Sequence, residues 1–161
     1  MERLWAPWRM GYVTAAGAPA ESCLFCRLLH DSDDRRALIL RRGERAFLVL
    51  NAFPYASGHL MAVVTRHVAD FDGATRDELA DCMTLLQSAE RALRAAYKPD
   101  GFNLGVNLGR VAGAGVVGHL HFHLVPRWNG DTNFMPVIGD TRVLPESLDV
   151  TYDRLAAALR S

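Results

Sequence analysis

From residue 36 the chain changes its hydrophobic rhythm several times, and each change predicts an element. RALILRRGERAFLVLN, residues 36–51, holds two runs rich in Leu, Ile, Val and Phe that meet at Arg42-Gly43-Glu44. Apolar runs of that length around a glycine turn predict an antiparallel hairpin. HLMAVVTR, residues 59–66, predicts a third strand, and the AFPYASG before it has the Pro, Ser and Gly of a loop. Thr75-Arg76-Asp77-Glu78 has the spelling of a capping box, after which Leu79, Met83, Leu86, Leu93 and Tyr97 recur at helical spacing until Lys98-Pro99-Asp100-Gly101. FNLGVNLG returns to period two through Phe102, Leu104, Val106 and Leu108, which predicts a half-buried fourth strand. GHLHFHLVPRW, residues 118–128, alternates Leu120, Phe122 and Leu124 with His119, His121 and His123 and predicts a fifth. Leu148, Tyr152, Leu155 and Leu159 share one face of a closing helix near 145–160. Strands and helices in this order predict an α+β fold on an antiparallel sheet.

The length, 161 residues, suits a single domain over 1–161. Residues 1–22 read as an irregular N-terminal arm broken by Gly11, Gly17 and Pro19, and residues 129–161 as a C-terminal extension. No stretch approaches the ~18 continuous apolar residues of a membrane span. The start, MERLWAPWRMGYV, lacks the apolar core of a secretory signal, so a cytoplasmic protein without a membrane partner is expected. Lys plus Arg and Asp plus Glu balance at 18 each, and the positive residues form no run, so no nucleic-acid partner is expected. Three cysteines make no disulfide framework in that compartment. Cys23-Leu24-Phe25-Cys26 therefore leaves metal or redox chemistry open, although nothing around it reads as the βαβ setting of a redox dithiol.

The histidine run changes the picture most. On a strand its imidazoles stand on one face, about 6.6 Å apart at Cα. Three readings stay open on the residues alone: satisfied polar groups on a sheet face, metal ligands, or nucleophilic catalysis at phosphorus. A neutral imidazole attacks phosphate with one nitrogen when its other N–H is held by a carbonyl or polar group. NLGRVAGAGVVG, residues 107–118, feeds straight into the run, and glycines there let a backbone come close to a polyphosphate. That loop favours the phosphate reading.

His119-Leu120-His121-Phe122-His123-Leu124-Val125 resembles the His-x-His-x-His-x-x signature of the histidine-triad (HIT) nucleotide hydrolases and transferases. Asn107-Leu108-Gly109, Ala112-Gly113 and Asn51 ahead of Gly58-His59 fit the same family, and the likeness covers roughly residues 23–128. The resemblance implies a HIT fold: a five-stranded antiparallel sheet with one long helix and a C-terminal helix, paired as a homodimer with a continuous ten-stranded sheet. It also implies roles. His121 would be the nucleophile that takes a nucleoside monophosphoryl group, and His123 would bind the phosphate under attack. Asn51 would meet the ribose, Val49 would line the base pocket, and Asn107, Gly113, Ala114 and Gly115 would approach the phosphates. Cys23 and Cys26 with His67 and His119 match the positions of a structural zinc site in relatives of this family and in the galactose-1-phosphate uridylyltransferases.

There is one departure. Many dinucleoside polyphosphate hydrolases of the family carry Ala-Gly-Gln before the triad, where this chain reads Ala112-Gly113-Ala114-Gly115 and is one residue longer. That loop, LWAPWRMGYV and PRWNGDTNFMPVIGDTRVLPESL resemble the family's bacterial diadenosine tetraphosphate phosphorylases, which use inorganic phosphate as acceptor. The resemblance thus implies phosphorolysis of diadenosine tetraphosphate to ATP and ADP. The alternatives are a dinucleoside polyphosphate or nucleoside phosphoramidate hydrolase, and, from another class, a low-turnover nucleotide-binding signalling module.

Cys82, inside the predicted helix, reads as a core residue and His30 as a surface one. For His59 a supporting or packing role and a direct one stand equal. Trp5, Trp8 and Trp128 read as core anchors. Arg127 and Asp131 follow the fifth strand, within reach of a polyphosphate.

Overall fold

The computed structural model describes residues 23–131 and 145–160. Trp5, Trp8, the arm 1–22 and the segment 132–144 lie outside the described residues. Among the described residues the elements run α1 (Leu24–His30), β1 (Ile39–Arg42), β2 (Ala46–Leu50), β3 (Leu60–Val64), α2 (Arg76–Tyr97), β4 (Gly101–Val106), β5 (His121–Arg127) and α3 (Leu148–Arg160). The strands form one sheet of order β1-β2-β3-β5-β4 with every neighbouring pair antiparallel. β3 and β4 therefore run parallel with β5 between them, and α2 makes the crossover.

Period-two alternation divides two cores between the sheet's faces. Leu48, Leu50, Leu60, Ala62 and Val64 point with Leu120, Phe122 and Leu124 into a cluster closed by Cys82, Leu85, Leu86, Ala89 and Leu93 of α2 and Leu155 and Leu159 of α3. Phe47, Val49, Met61 and Val63 point the other way, onto Cys23, Phe25, Ala37 and Ile39. Every residue of β2 and β3 is consequently buried. Cys82 is a core residue, as the sequence predicted, and burial pushes its thiol up to about 12.

The expected helix begins where its capping box is written. Thr75 accepts from the Glu78 N–H at 3.2 Å, and the Glu78 carboxylate accepts from the Thr75 N–H at 2.8 Å. The same carboxylate holds Arg66 at 2.8 and 2.9 Å, which ties the end of β3 to the start of α2. Further along α2, Asp81 accepts from the N–H groups of Arg45 and Ala46 at 2.7 and 2.9 Å. A Cβ on Gly43 would lie 2.8 Å from that carboxylate, so glycine is required at this turn. Gly58, at φ +82°, turns the chain into His59 and lets Leu93 approach within 2.7 Å of where a Cβ would stand. At the far end α3 is held by Tyr152, whose hydroxyl donates to the Ile39 carbonyl at 3.0 Å, and by the Tyr97–Glu146 hydrogen bond.

Four expectations need correction. α1, seven residues long, has no Ser, Thr, Asp or Asn cap and no periodic stripe to announce it. The third strand is shorter than 59–66. In α2, Met83 is 37% exposed and the buried stripe runs instead through Cys82, Leu85, Leu86, Ala89, Ala92 and Leu93, because the helix faces β2 and β3 slightly to one side of the predicted stripe. β4 stops at Val106, and its alternation does not mark burial: as an edge strand it leaves Leu104 56% exposed, with Leu108 beyond it 45% exposed. No described helix is long and apolar enough to cross a membrane.

The capping box gives a stability test. Arg66 first, then the Thr75 contacts, holds the Glu78 carboxyl down at about 2, below its usual 4.5. Its contribution is therefore complete above pH 4.5 and is lost as pH falls towards 2. Glu78→Gln is expected to flatten that part of the stability–pH curve in urea melts. Thr75→Ala is expected to cost about 1 kcal/mol at neutral pH.

Candidate active site and metal-ligand cluster

β5 lies between β3 and β4, with Met61 opposite His123 and Val63 opposite His121 on one side, and Gly105 opposite His123 on the other. This register turns Phe122 and Leu124 towards the helices and both histidines towards the face that carries α1. His119 precedes the strand, where Leu120 bonds both ways: its N–H donates to the Val68 carbonyl at 2.7 Å and its carbonyl accepts from Val64 at 3.3 Å. The predicted alternation of the three imidazoles thus becomes a row in which each has its own surroundings.

His119 joins Cys23, Cys26 and His67, whose ligand atoms all lie within 4.8 Å of one another. The His119 Nδ1 is 3.3 Å from the Cys23 sulfur and 3.6 Å from that of Cys26, and the His67 Nδ1 is 3.3 Å from the Cys26 sulfur. Tetrahedral coordination with metal–sulfur bonds of about 2.3 Å and metal–nitrogen bonds of about 2.0 Å sets such ligand atoms about 3.5 Å apart. The donors therefore fit a four-coordinate thiolate–imidazole site. The His119 tautomer fits it too: Nε2 donates its proton to the Val64 carbonyl at 2.6 Å, which leaves the Nδ1 lone pair towards the sulfurs. Burial, and then the adjacent Cys23, push the Cys26 thiol up to about 11, whereas a cation between the sulfurs favours the thiolates.

His121 is 4% exposed and its Nδ1 lies 2.7 Å from the carbonyl of His119. A carbonyl only accepts, so Nδ1 carries the proton and the Nε2 lone pair is left for chemistry. Burial holds the His121 imidazole below its ordinary pKa, and the hydrogen bond opposes this only in part, so the ring is neutral at neutral pH. His119 is shifted the same way by burial. Residue 119 therefore serves twice, its side chain in the ligand cluster and its carbonyl on His121.

His59 proves to belong to the row. The Tyr55 N–H donates to its Nδ1 at 3.1 Å, so Nε2 carries the proton and donates to the Nδ1 of His123 at 3.0 Å. That fixes the neutral His123 ring with its own proton on Nε2. The alternation from His59, just ahead of β3, through Met61 and Val63 sets it on the face shared with His121 and His123. The His121 and His123 rings are 5.0 Å apart, edge to face.

Of the remaining expected residues, Asn51 is nearby: its Nδ2 lies 3.4 Å from the His59 ring, and its Oδ1 accepts from the Phe53 N–H at 2.9 Å. Val49 is buried in the cluster with Phe25, Met61 and Val63. The glycine loop is folded on itself: Asn107 Nδ2 donates to the Gly113 carbonyl at 3.4 Å, and the N–H groups of Gly113 and Ala114 donate to Arg110 and Gly109 at 2.9 and 3.3 Å. Gly113 takes φ +89° to make that turn, and Ala114 is buried. Arg127 is bound by Asp131 at 2.6 Å and by Asn103 at 2.7 Å. Trp128 donates its indole N–H to the Tyr97 carbonyl at 3.3 Å, and His30 is exposed.

The HIT domain family model matches residues 34–130. The chain is 39% identical to the AP-4-A phosphorylase of Mycobacterium tuberculosis over 165 aligned residues, which cover 97% of this chain and 83% of that protein. A crystal structure of a Zn-bound histidine triad family protein from Mycobacterium smegmatis superposes with a TM-score of 0.70 at 27% identity, covering 88% of this chain and 96% of that one. A hypothetical histidine triad nucleotide-binding protein from Sulfolobus tokodaii shares the fold at a TM-score of 0.68 and 24% identity, over 86% of this chain and 92% of that one.

The ligand cluster is testable by itself. Purified protein is expected to carry a divalent cation at about one per chain by elemental analysis, and Cys26→Ser to lose it together with thermal stability. Equal metal content in the two proteins would separate the cluster from metal binding.

Proposed function

Since this chain belongs to the HIT domain family, we propose that it is a nucleotidyl transferase that cleaves diadenosine tetraphosphate and passes the adenylyl group to inorganic phosphate. The observation that carries the reading is the neutral, buried His121, with Nδ1–H tied to the His119 carbonyl at 2.7 Å and Nε2 left as a nucleophile. The 39% identity to a protein named AP-4-A phosphorylase, over 97% of the chain, supports the choice of substrate and of phosphate as acceptor.

In this reading His121 Nε2 attacks the α-phosphorus, an N–P bond forms, and the P–O bond to the distal nucleotide breaks, its electron pair leaving with ATP. The His119 carbonyl meets the positive charge that grows on the ring through the Nδ1–H bond. A phosphate oxygen then attacks the same phosphorus, the N–P bond breaks, and ADP leaves with the imidazole restored. His123, its Nε2–H fixed by His59, donates to an oxygen of the phosphate under attack, where developing charge makes a preset donor most effective. Asn51 meets the ribose and Val49 backs the base pocket. Asn107, Gly113, Ala114 and Gly115 form the wall beside the phosphates, without the glutamine that hydrolases of the family place there.

The four-ligand cluster, in the same reading, holds a structural zinc. Four protein donors leave no position for a water, so zinc supplies cross-linking of α1, the turn after β3 and the approach to β5. The crystal structure of a Zn-bound relative supports that identity. The edge strand β4, with Leu104, Leu108 and Val111 exposed, is proposed to continue the sheet into a second copy as a homodimer.

Incubation of the protein with diadenosine tetraphosphate is expected to yield ATP and ADP, by chromatography, only when inorganic phosphate is present. ATP and AMP without phosphate would assign water as acceptor instead. His121→Asn is expected to abolish turnover while nucleotide binding by calorimetry persists; unchanged turnover would sink the histidine mechanism. Leu104→Glu is expected to shift the sedimentation coefficient to that of a monomer, and an unmoved oligomer would place the interface elsewhere.

A further inference from the structure

Phe25 stands between the two cysteines of the Cys-x-x-Cys, and its side chain is 1% exposed. Its ring centroid lies 5.4 Å from that of His119, edge on, and 5.0 Å from that of His121 at an interplanar angle of 52°. Both are contact distances for aromatic rings. The one aromatic residue in the cysteine knuckle thus touches both the imidazole of the ligand cluster and the imidazole next along the strand.

A single hydrogen bond holds a ring as a hinge holds a door. The Cβ tether and the Nδ1–H bond to the His119 carbonyl fix one edge of His121, while the edge that carries Nε2 is held by the ring's contacts with Phe25 and His123, and a displacement of about 1 Å there is enough to spoil an attack geometry. A wall against the ring limits that displacement. Phe25 is such a wall, and its own position is set by its neighbours: Cys23 and Cys26 lie on either side of it in the chain, and their sulfurs lie beside His119. We infer that Phe25 is a positioning residue, which carries the placement of the metal-ligand knuckle to His121 and holds its Nε2 on line. The catalytic consequence rests on the nucleophile assigned to His121 above; the placement of the ring does not.

The test compares Phe25→Leu with Phe47→Leu. Phe47 is buried in the same cluster and meets Phe25 edge on at 6.5 Å, so it serves as a control for lost packing alone. Both variants are made as the metal-loaded full chain with 15N-labelled histidine, and metal content is checked by elemental analysis. At one fixed pH, the wild type and Phe47→Leu are expected to show His121 as a single Nδ1-protonated tautomer with a slowly exchanging Nδ1–H. Phe25→Leu is expected to keep its metal, lose the slow exchange and show averaged nitrogen shifts. Phe25→Met, with an unbranched side chain, is expected to do the same if the leucine variant folds poorly. In single turnover, adenylyl-histidine formation is expected to slow on the order of tenfold to a hundredfold in Phe25→Leu with nucleotide Kd unchanged.

A wild-type spectrum in both Phe25 variants would overturn the inference, and so would equal loss in Phe47→Leu. The expected spectra without adduct formation in any of the proteins would support the positioning role while refuting the nucleotidyl-transfer reading.

Discussion

A slip of β5 by one residue against β3 would turn His121 and His123 into the helix-side core and bring Phe122 out onto the face that carries α1. The pairings Leu60↔Leu124, Met61↔His123, Ala62↔Phe122 and Val63↔His121 exclude it, because Phe122 and Leu124 are the residues that pack against the α2 side of the sheet. The polar row on one face is therefore held by the apolar row on the other. A strand with helices against only one face would expose its histidines to water. Here α1 and the segment around Ile39 cover the second face as well, and that cover desolvates His121 and keeps its ring neutral.

Much of this was legible in the sequence, for identifiable reasons. Elements with a strong local signal were found where it was strong: the capping box at Thr75, the hairpin around Gly43, the alternation through His119 to Leu124. Cys23, Cys26, His67 and His119 come together as the motif implied. What escaped were features that depend on pairing between distant segments. For His59 the sequence leaves a supporting or packing role and a direct one equal, and only β3 laid beside β5 shows it to be a hydrogen-bond partner of His123. Phe25 reads as filler between cysteines until α1 is docked. Leu104 alternates like a buried strand residue, yet the pattern cannot say that β4 is an edge of the sheet.

The site has a direction built into its proton positions. The Val64 carbonyl accepts from the Nε2–H of His119, and the His119 carbonyl accepts from the Nδ1–H of His121. The Tyr55 N–H donates to Nδ1 of His59, whose Nε2–H donates to Nδ1 of His123. Backbone groups decide the tautomers of His119, His121 and His59, and His59 in turn decides that of His123, so the pattern follows from the sheet and the loop at 51–59. Side chains arranged this way need no reorganisation when charge develops among them.

The turn between β1 and β2 is exposed at Gly43, Glu44 and Arg45 and has the look of a place where extra residues would be harmless. Its geometry says otherwise. Asp81, from a helix that begins after the next strand has ended, grips two consecutive amides there and sits where a larger side chain at residue 43 would go. A peptide tag or inserted loop at this tip would have to break that grip and loosen α2 from the hairpin. For labelling or fusion, a surface turn that only looks free is the wrong address in this protein.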